Sequence, residues 1–168
     1  MSGFPTLQPA FTVRVDIDAP LSVGGQKGSP LVIVPMISGT VKSEPGFEPE
    51  LNAELHGVGY DYIHNDADAG NMRLDVRSQV KNQDGTIFAM YYKGTVALTA
   101  GVKAVLGGVP DAKTTDYGDS FVTFSFETGI EKYKNLENGT YVAAGHFVKE
   151  EGKAGTVVEY KVSKVVKG

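Results

Sequence analysis

The sequence predicts a single, mainly β domain, an antiparallel barrel of about eight to ten strands with one short helix, closed around a cavity for an organic ligand. Three observations point there. Twenty-one glycines punctuate short runs of β-forming residues, a spacing of turn signals that marks sandwiches and barrels. Several of those runs alternate apolar with polar residues, the period of a half-buried strand. No repeat of fixed period occurs, which removes solenoids and propellers and leaves closure as the way to hide strand edges.

Taken in order, residues 1–10 read as an extended arm, and residues 11–17 set Phe11, Val13, Val15 and Ile17 against Thr12, Arg14 and Asp16. Residues 31–41 form a second strand, bent at Pro35 and near Gly39. After the break at Pro45–Pro49, residues 50–57 and 60–64 read as strands either side of Gly57-Val58-Gly59. Residues 72–80 alternate Met72, Leu74, Val76, Ser78 and Val80 against Arg73, Asp75, Arg77 and Gln79. Asp84-Gly85 tolerates the positive φ of a tight turn, so residues 86–94 should return as the antiparallel hairpin partner. Residues 96–106 carry the one substantial helical pattern, ended by Gly107-Gly108 and Pro110. Residues 121–126, 140–147 and 156–166 complete the strands, the last being an extension in the segment 149–168.

Composition narrows the functions. A net charge of −4, with the lysines scattered except for a modest C-terminal group from Lys149 to Lys167, gives no footprint for a phosphate backbone, so no nucleic-acid partner is expected. The longest apolar run, residues 31–37, contains Pro35 and falls well short of the ~20 residues of a spanning helix, so no membrane is expected either. Residues 1–10 lack a basic and an apolar leader region, and a cytoplasmic address is the expectation. The absence of cysteine excludes disulfides, thiolate nucleophiles and Cys-ligated metals. Phosphate loops, dinucleotide fingerprints and nucleophile elbows are missing, and His56, His64 and His146 stand at no ligand spacing. Neither cofactor nor metal is expected.

What remains is acid–base chemistry in an aromatic cup. Tyr60, Tyr62, Tyr91, Tyr92, Tyr133 and Tyr141 cluster in the sequence near Phe88, Phe124 and Phe126, and aromatic walls with a few hydroxyl tips hold flat organic ligands. Core packing claims most of the same rings. Asp75 and Arg77 share one face of their strand, a solvent face by alternation alone, but if that face is lumenal the two must satisfy each other or a ligand. Glu127, in Phe126-Glu127-Thr128-Gly129, ends a strand where it can face a cavity mouth or cap a turn.

The run Leu31-Val32-Ile33-Val34-Pro35 with Gly39, the segment Gly57-Val58-Gly59-Tyr60-Asp61, the pairing of Leu74-Asp75-Val76-Arg77 with Asp84-Gly85-Thr86 and Gly94, and the stretch Phe126 to Tyr133 with Leu136 together resemble a family. It is the calycin-like β-barrel proteins grouped as DUF3237 (UPF0311), and the resemblance runs over residues 11–148. It implies a lipocalin-like barrel with a polar-centred lumen into which Asp75 and Arg77 point. Two departures stand out: Tyr60 replaces what looks like a tryptophan of the family, and residues 149–168 extend past its usual end.

The reading that follows is a cofactor-independent isomerase or cyclase acting on a hydrophobic, polyketide- or terpenoid-like molecule of secondary metabolism, by positioning and proton transfer. The catalytic candidates are Asp75, Arg77, Glu127, His64 and Asp61, with Asp75 as the base, and Tyr60, Tyr91, Tyr92 and Phe124 shape the pocket. The alternatives are a carrier or sensor that only binds such a molecule, and a structural protein whose barrel is packed solid. A homodimer is expected, because exposed aromatics on a barrel tend to be covered at a two-fold contact.

Overall fold

The structure is a computed structural model that describes residues 3–25 and 28–168. Ten strands form one antiparallel sheet: β1 (Thr6–Ile17), β2 (Leu21–Gly24), β3 (Leu31–Ser43), β4 (Asn52–Leu55), β5 (Gly59–Asn65), β6 (Asn71–Asn82), β7 (Ile87–Ala97), β8 (Ser120–Glu127), β9 (Tyr141–Val148) and β10 (Thr156–Val166). The helices are α1 (Ala100–Leu106), a 3-10 turn at Glu131–Tyr133 and the single turn α2 (Lys134–Glu137).

The sheet closes on itself because β1 pairs with both β10 and β3, from Phe11 opposite Ser43 to Ile17 opposite Met36. β4 and β5 occupy one position between β3 and β6, which makes an eight-strand barrel with β2 appended to the end of β3. Between the two half-strands the ladder is replaced by a side chain: Gln79 Nε2 donates to the carbonyls of His56 and Val58.

The sequence patterns explain most of these elements. β6 and β7 form the long hairpin expected around Asp84-Gly85, in unbroken register from Asn71 opposite Ala97 to Lys81 opposite Ile87. Gly85 takes φ +85°, and Asp84 accepts the Thr86 N–H at 3.0 Å. The helical pattern of residues 96–106 begins late: Val96 and Ala97 finish β7, and Thr99 caps α1 by accepting the Val102 N–H at 3.4 Å. Residues 6–10, expected as an arm, are the first half of β1, paired with β10 from Thr6 opposite Val166. The expected strand extension after residue 149 is β10, without which the barrel would not close.

Tight curvature needs close backbone approach, and Gly94 supplies it. A Cβ there would meet the Phe121 carbonyl oxygen at 2.1 Å and Val122 Cα at 2.7 Å, so β7 and β8 touch where only glycine fits. Gly94→Val is expected to destabilise the protein by about 1–3 kcal/mol through forced backbone displacement. Urea unfolding measures it, and an unchanged midpoint would show that the strands part freely.

The barrel's two ends differ. One is packed solid: Phe11 is fully buried and meets Phe47, Phe124, Phe126 and Tyr141 at ring separations of 5.8, 6.2, 5.5 and 5.4 Å. Leu136 of α2 and Tyr133, which lies edge-on to Phe88 at 4.7 Å, add to this plug. Tyr133 also receives the Asn82 amide at 2.9 Å and donates its hydroxyl to Asp84, tying the hairpin tip to the plug. The other end is hollow.

Candidate functional site

The hollow end holds a cavity of about 690 Å³, within the range of roughly 300–1,000 Å³ typical of small-molecule pockets. Its walls are apolar, built by the inward residues of alternating strands: Val32 and Val34 of β3, Ile63 of β5, Leu74 of β6, Val96 of β7 and Val158 of β10. Leu106 at the end of α1, the turn at Asp18–Pro20 and the β9–β10 loop with Lys149 and Gly155 surround its mouth.

At the inner end of this apolar cup, where the rings of Tyr92 and Tyr160 pack on Phe124, the lining includes three oxygen-bearing side chains from three strands, Asp61 on β5, Tyr92 on β7 and Tyr160 on β10. Asp61 is the only buried acidic residue among the described residues. Burial lifts its pKa from 3.8 to about 7; the Asp75 backbone N–H, which donates to Asp61 Oδ1 at 3.0 Å, pulls the other way, and the Asp75 charge adds to the rise. The carboxyl therefore exchanges its proton near neutrality instead of staying ionised.

The two phenols are kept protonated. Burial, reinforced by the charge of nearby Asp61, drives the pKa of Tyr160 and of Tyr92 well above the ordinary phenol value. Their rings meet edge to face at 5.2 Å, and Phe124 stacks on Tyr92 at 4.5 Å. Tyr92 donates its hydroxyl to the thioether of Met36 at 3.2 Å. A thioether is a weak acceptor, so that proton is available to a better one.

Of the residues expected at the site, the structure lines the cavity with Asp61 and Tyr92, buries Phe124 against the Tyr92 ring on the plug side, and leaves the others outside. Asp75 and Arg77 point outward, opposite to what the resemblance implied. The reason is the alternation of β6, whose Leu74, Val76, Ser78 and Val80 take the inner face. Asp75 pairs with Lys93 at 3.1 Å on the outer wall. Arg77 lies over the Tyr91 ring at 5.1 Å, and the Tyr91 hydroxyl donates to Glu127 at 2.5 Å, so three expected site residues do meet, but on the solvent side. Tyr60 is exposed, and His64 is exposed with Nδ1 3.0 Å from the Ser29 carbonyl oxygen. Inside β5 the order is set by Gly59, Asp61 and Ile63, which take the lumen and send Tyr60, Tyr62 and His64 out. Asp75 thus acts on the lumen only through its main chain and its charge, and the carboxyl in position for chemistry is Asp61.

Among the lumenal residues that the sequence reading did not nominate are Tyr160, Met36 and Lys149. Tyr160 was open to discovery, since the alternation of residues 156–166 puts it on one face with Val158 and Val162. The described residues bring no group of three His, Asp or Glu side chains into a metal-holding arrangement, and no helix among them is long and apolar enough to cross a membrane.

The family model for proteins of unknown function grouped as DUF3237 matches residues 5–165. It therefore takes in β10, so the final strand is part of the family's span and no addition to it. A conserved protein of unknown function from Rhodopseudomonas palustris superposes with a TM-score of 0.79 at 18% identity, over 97% of this chain and 99% of that one. A beta-barrel like protein from Acinetobacter baumannii gives a TM-score of 0.72 at 22% identity, over 96% of each chain. An enzyme from Penicillium herquei gives 0.59 at 16% identity, over 96% of this chain and 94% of that one. These likenesses show the fold. No curated protein matches the chain.

Proposed function

Because the chain belongs to DUF3237, a family of proteins of unknown function, its own site must carry the assignment, and we propose that it is a cofactor-independent isomerase or cyclase that works on a hydrophobic small molecule in the barrel lumen. The observation that carries this is Asp61: a lone buried carboxyl, titrating at about 7, at the inner end of an apolar cavity and beside two protonated phenols.

The chemistry follows from that set. A substrate carbonyl directed at Tyr92 and Tyr160 accepts their O–H groups, and charge that develops on its oxygen is stabilised there. Asp61, as carboxylate, removes a proton from the carbon next to that carbonyl. The resulting enol or enolate either takes the same proton back at another carbon, which is isomerisation, or is held for an internal ring closure. The combination of one carboxylate base with phenolic donors suits proton transfer without any cofactor.

The test is exchange of α-protons with D2O, followed by proton NMR for a panel of hydrophobic cyclic enones. The wild-type protein is expected to catalyse exchange of at least one of them, with a rate that rises as the pH passes upward through about 7, because the ionised form of Asp61 is the base. Asp61→Asn should lower the rate by about 10²-fold or more, and Tyr92→Phe by about 10²-fold, both with unchanged circular dichroism. Exchange that survives in Asp61→Asn would remove Asp61 from the mechanism. Binding of the enones without exchange would favour a carrier.

A further inference from the structure

The charges lining the cavity are few and unevenly placed. Among the described residues, three side chains with formal charge line it: Asp18, Asp61 and Lys149. Asp18 is exposed and its carboxylate accepts the Ala19 N–H at 2.7 Å in its own turn. Asp61 lies at the inner end, where its ionisation would repel an anion.

Lys149 is the cation. It is half-buried at the rim, and its backbone is fastened on both sides by Thr114, whose Oγ1 accepts the Lys149 N–H at 3.0 Å and donates to the Lys149 carbonyl at 3.5 Å. Of the two acidic residues that follow it, Glu150 pairs with Arg14 at 2.8 Å and with Lys153 at 2.5 Å, and Glu151 is exposed. Among the described residues no acidic side chain pairs with the Lys149 ammonium. A cation at the mouth of an apolar cup, with two protonated phenols and the Asp61 carboxyl at its floor, suits a molecule whose negative charge stays at the outer end. A single ammonium with no guanidinium beside it suits a monoanion better than a phosphate.

We propose that the ligand of this lumen is a hydrophobic carboxylic acid that enters oxygen-bearing end first and leaves its carboxylate on Lys149 at the mouth. This rests on the lumenal reading above and adds the class and orientation of the molecule.

Two fluorescent probes test it on the full-length protein: 11-(dansylamino)undecanoic acid and its methyl ester. The acid is expected to bind at least tenfold more tightly than the ester. Lys149→Met should bring the acid down to the ester's affinity without moving the ester, and Lys149→Arg should restore most of the difference. Added salt should weaken the acid alone. Val32→Trp, which fills the lumen near its mouth, should abolish binding of both. Equal affinities for acid and ester, or equal weakening of both by Lys149→Met, would overturn the proposal while leaving the lumenal site standing. Binding that survives Val32→Trp, or failure of both probes to bind, would overturn both.

Discussion

At pH 8 the Asp61→Asn variant is expected to be more stable than the wild-type protein by up to about 4 kcal/mol, and the gap is expected to close as the pH falls to 4. The folded protein holds the Asp61 proton with a pKa of about 7, against 3.8 for an ordinary aspartate. Between those values the folded state binds more protons than the unfolded one, so stability falls as pH rises. The contribution is complete below 3.8 and gone above about 7. Asparagine keeps an oxygen to accept the Asp75 N–H and has no charge to desolvate. Other carboxylates work the opposite way: Asp84, held low chiefly by the Tyr133 hydroxyl, and Glu44, held low by Thr12 and Lys161. They are common to both proteins and cancel in the difference. Urea titrations of wild type and variant from pH 4 to 9 measure this directly, and a gap independent of pH would show that the lumen leaves Asp61 solvated.

Phe11→Ala is expected to cost about 3–5 kcal/mol, the largest loss for a single truncation in this barrel, because the cavity it leaves is walled by rings that cannot collapse together. Four aromatic rings surround Phe11, on β8, on β9 and on the loop that carries Phe47. Phe121→Ala, at a position 60% exposed, removes the same side chain from solvent and should cost less than about 1 kcal/mol. Similar losses in the two variants, read from denaturation midpoints, would mean that the plug is not the stabilising half of the molecule.

The barrel was legible in the sequence because alternation is a local property. β6, with Leu74, Val76, Ser78 and Val80 on one face, could be read residue by residue, and the Asp84-Gly85 turn fixed its partner and register. The same alternation placed Asp75 and Arg77 outside; the family resemblance argued for inside, and packing followed the alternation. β5 was harder. Its two faces are Tyr60, Tyr62, His64 and Gly59, Asp61, Ile63, and counting apolar surface would bury the tyrosines. What decides it lies elsewhere in the chain: a bulky side chain on the inner face at position 59 would strike Met36, whose methyl would be 2.5 Å from a Cβ there. The site itself was partly visible for the same reason. Asp61 and Tyr92 could be nominated from their neighbours, but their convergence with Tyr160, some seventy residues further on, is made by closure of the sheet, and no spacing in the sequence encodes that meeting.

The aromatic plug also bears on kinetics. With one end stopped by Phe11 and its neighbours, the lumen is a cul-de-sac: whatever enters past Lys149 must leave by the same opening. Entry and exit are then mutually exclusive events at one gate, so for the proposed isomerase or cyclase activity product should inhibit competitively against substrate. Such a chamber favours reactions of a single molecule rearranging on itself, because a second reactant would have to queue behind the first.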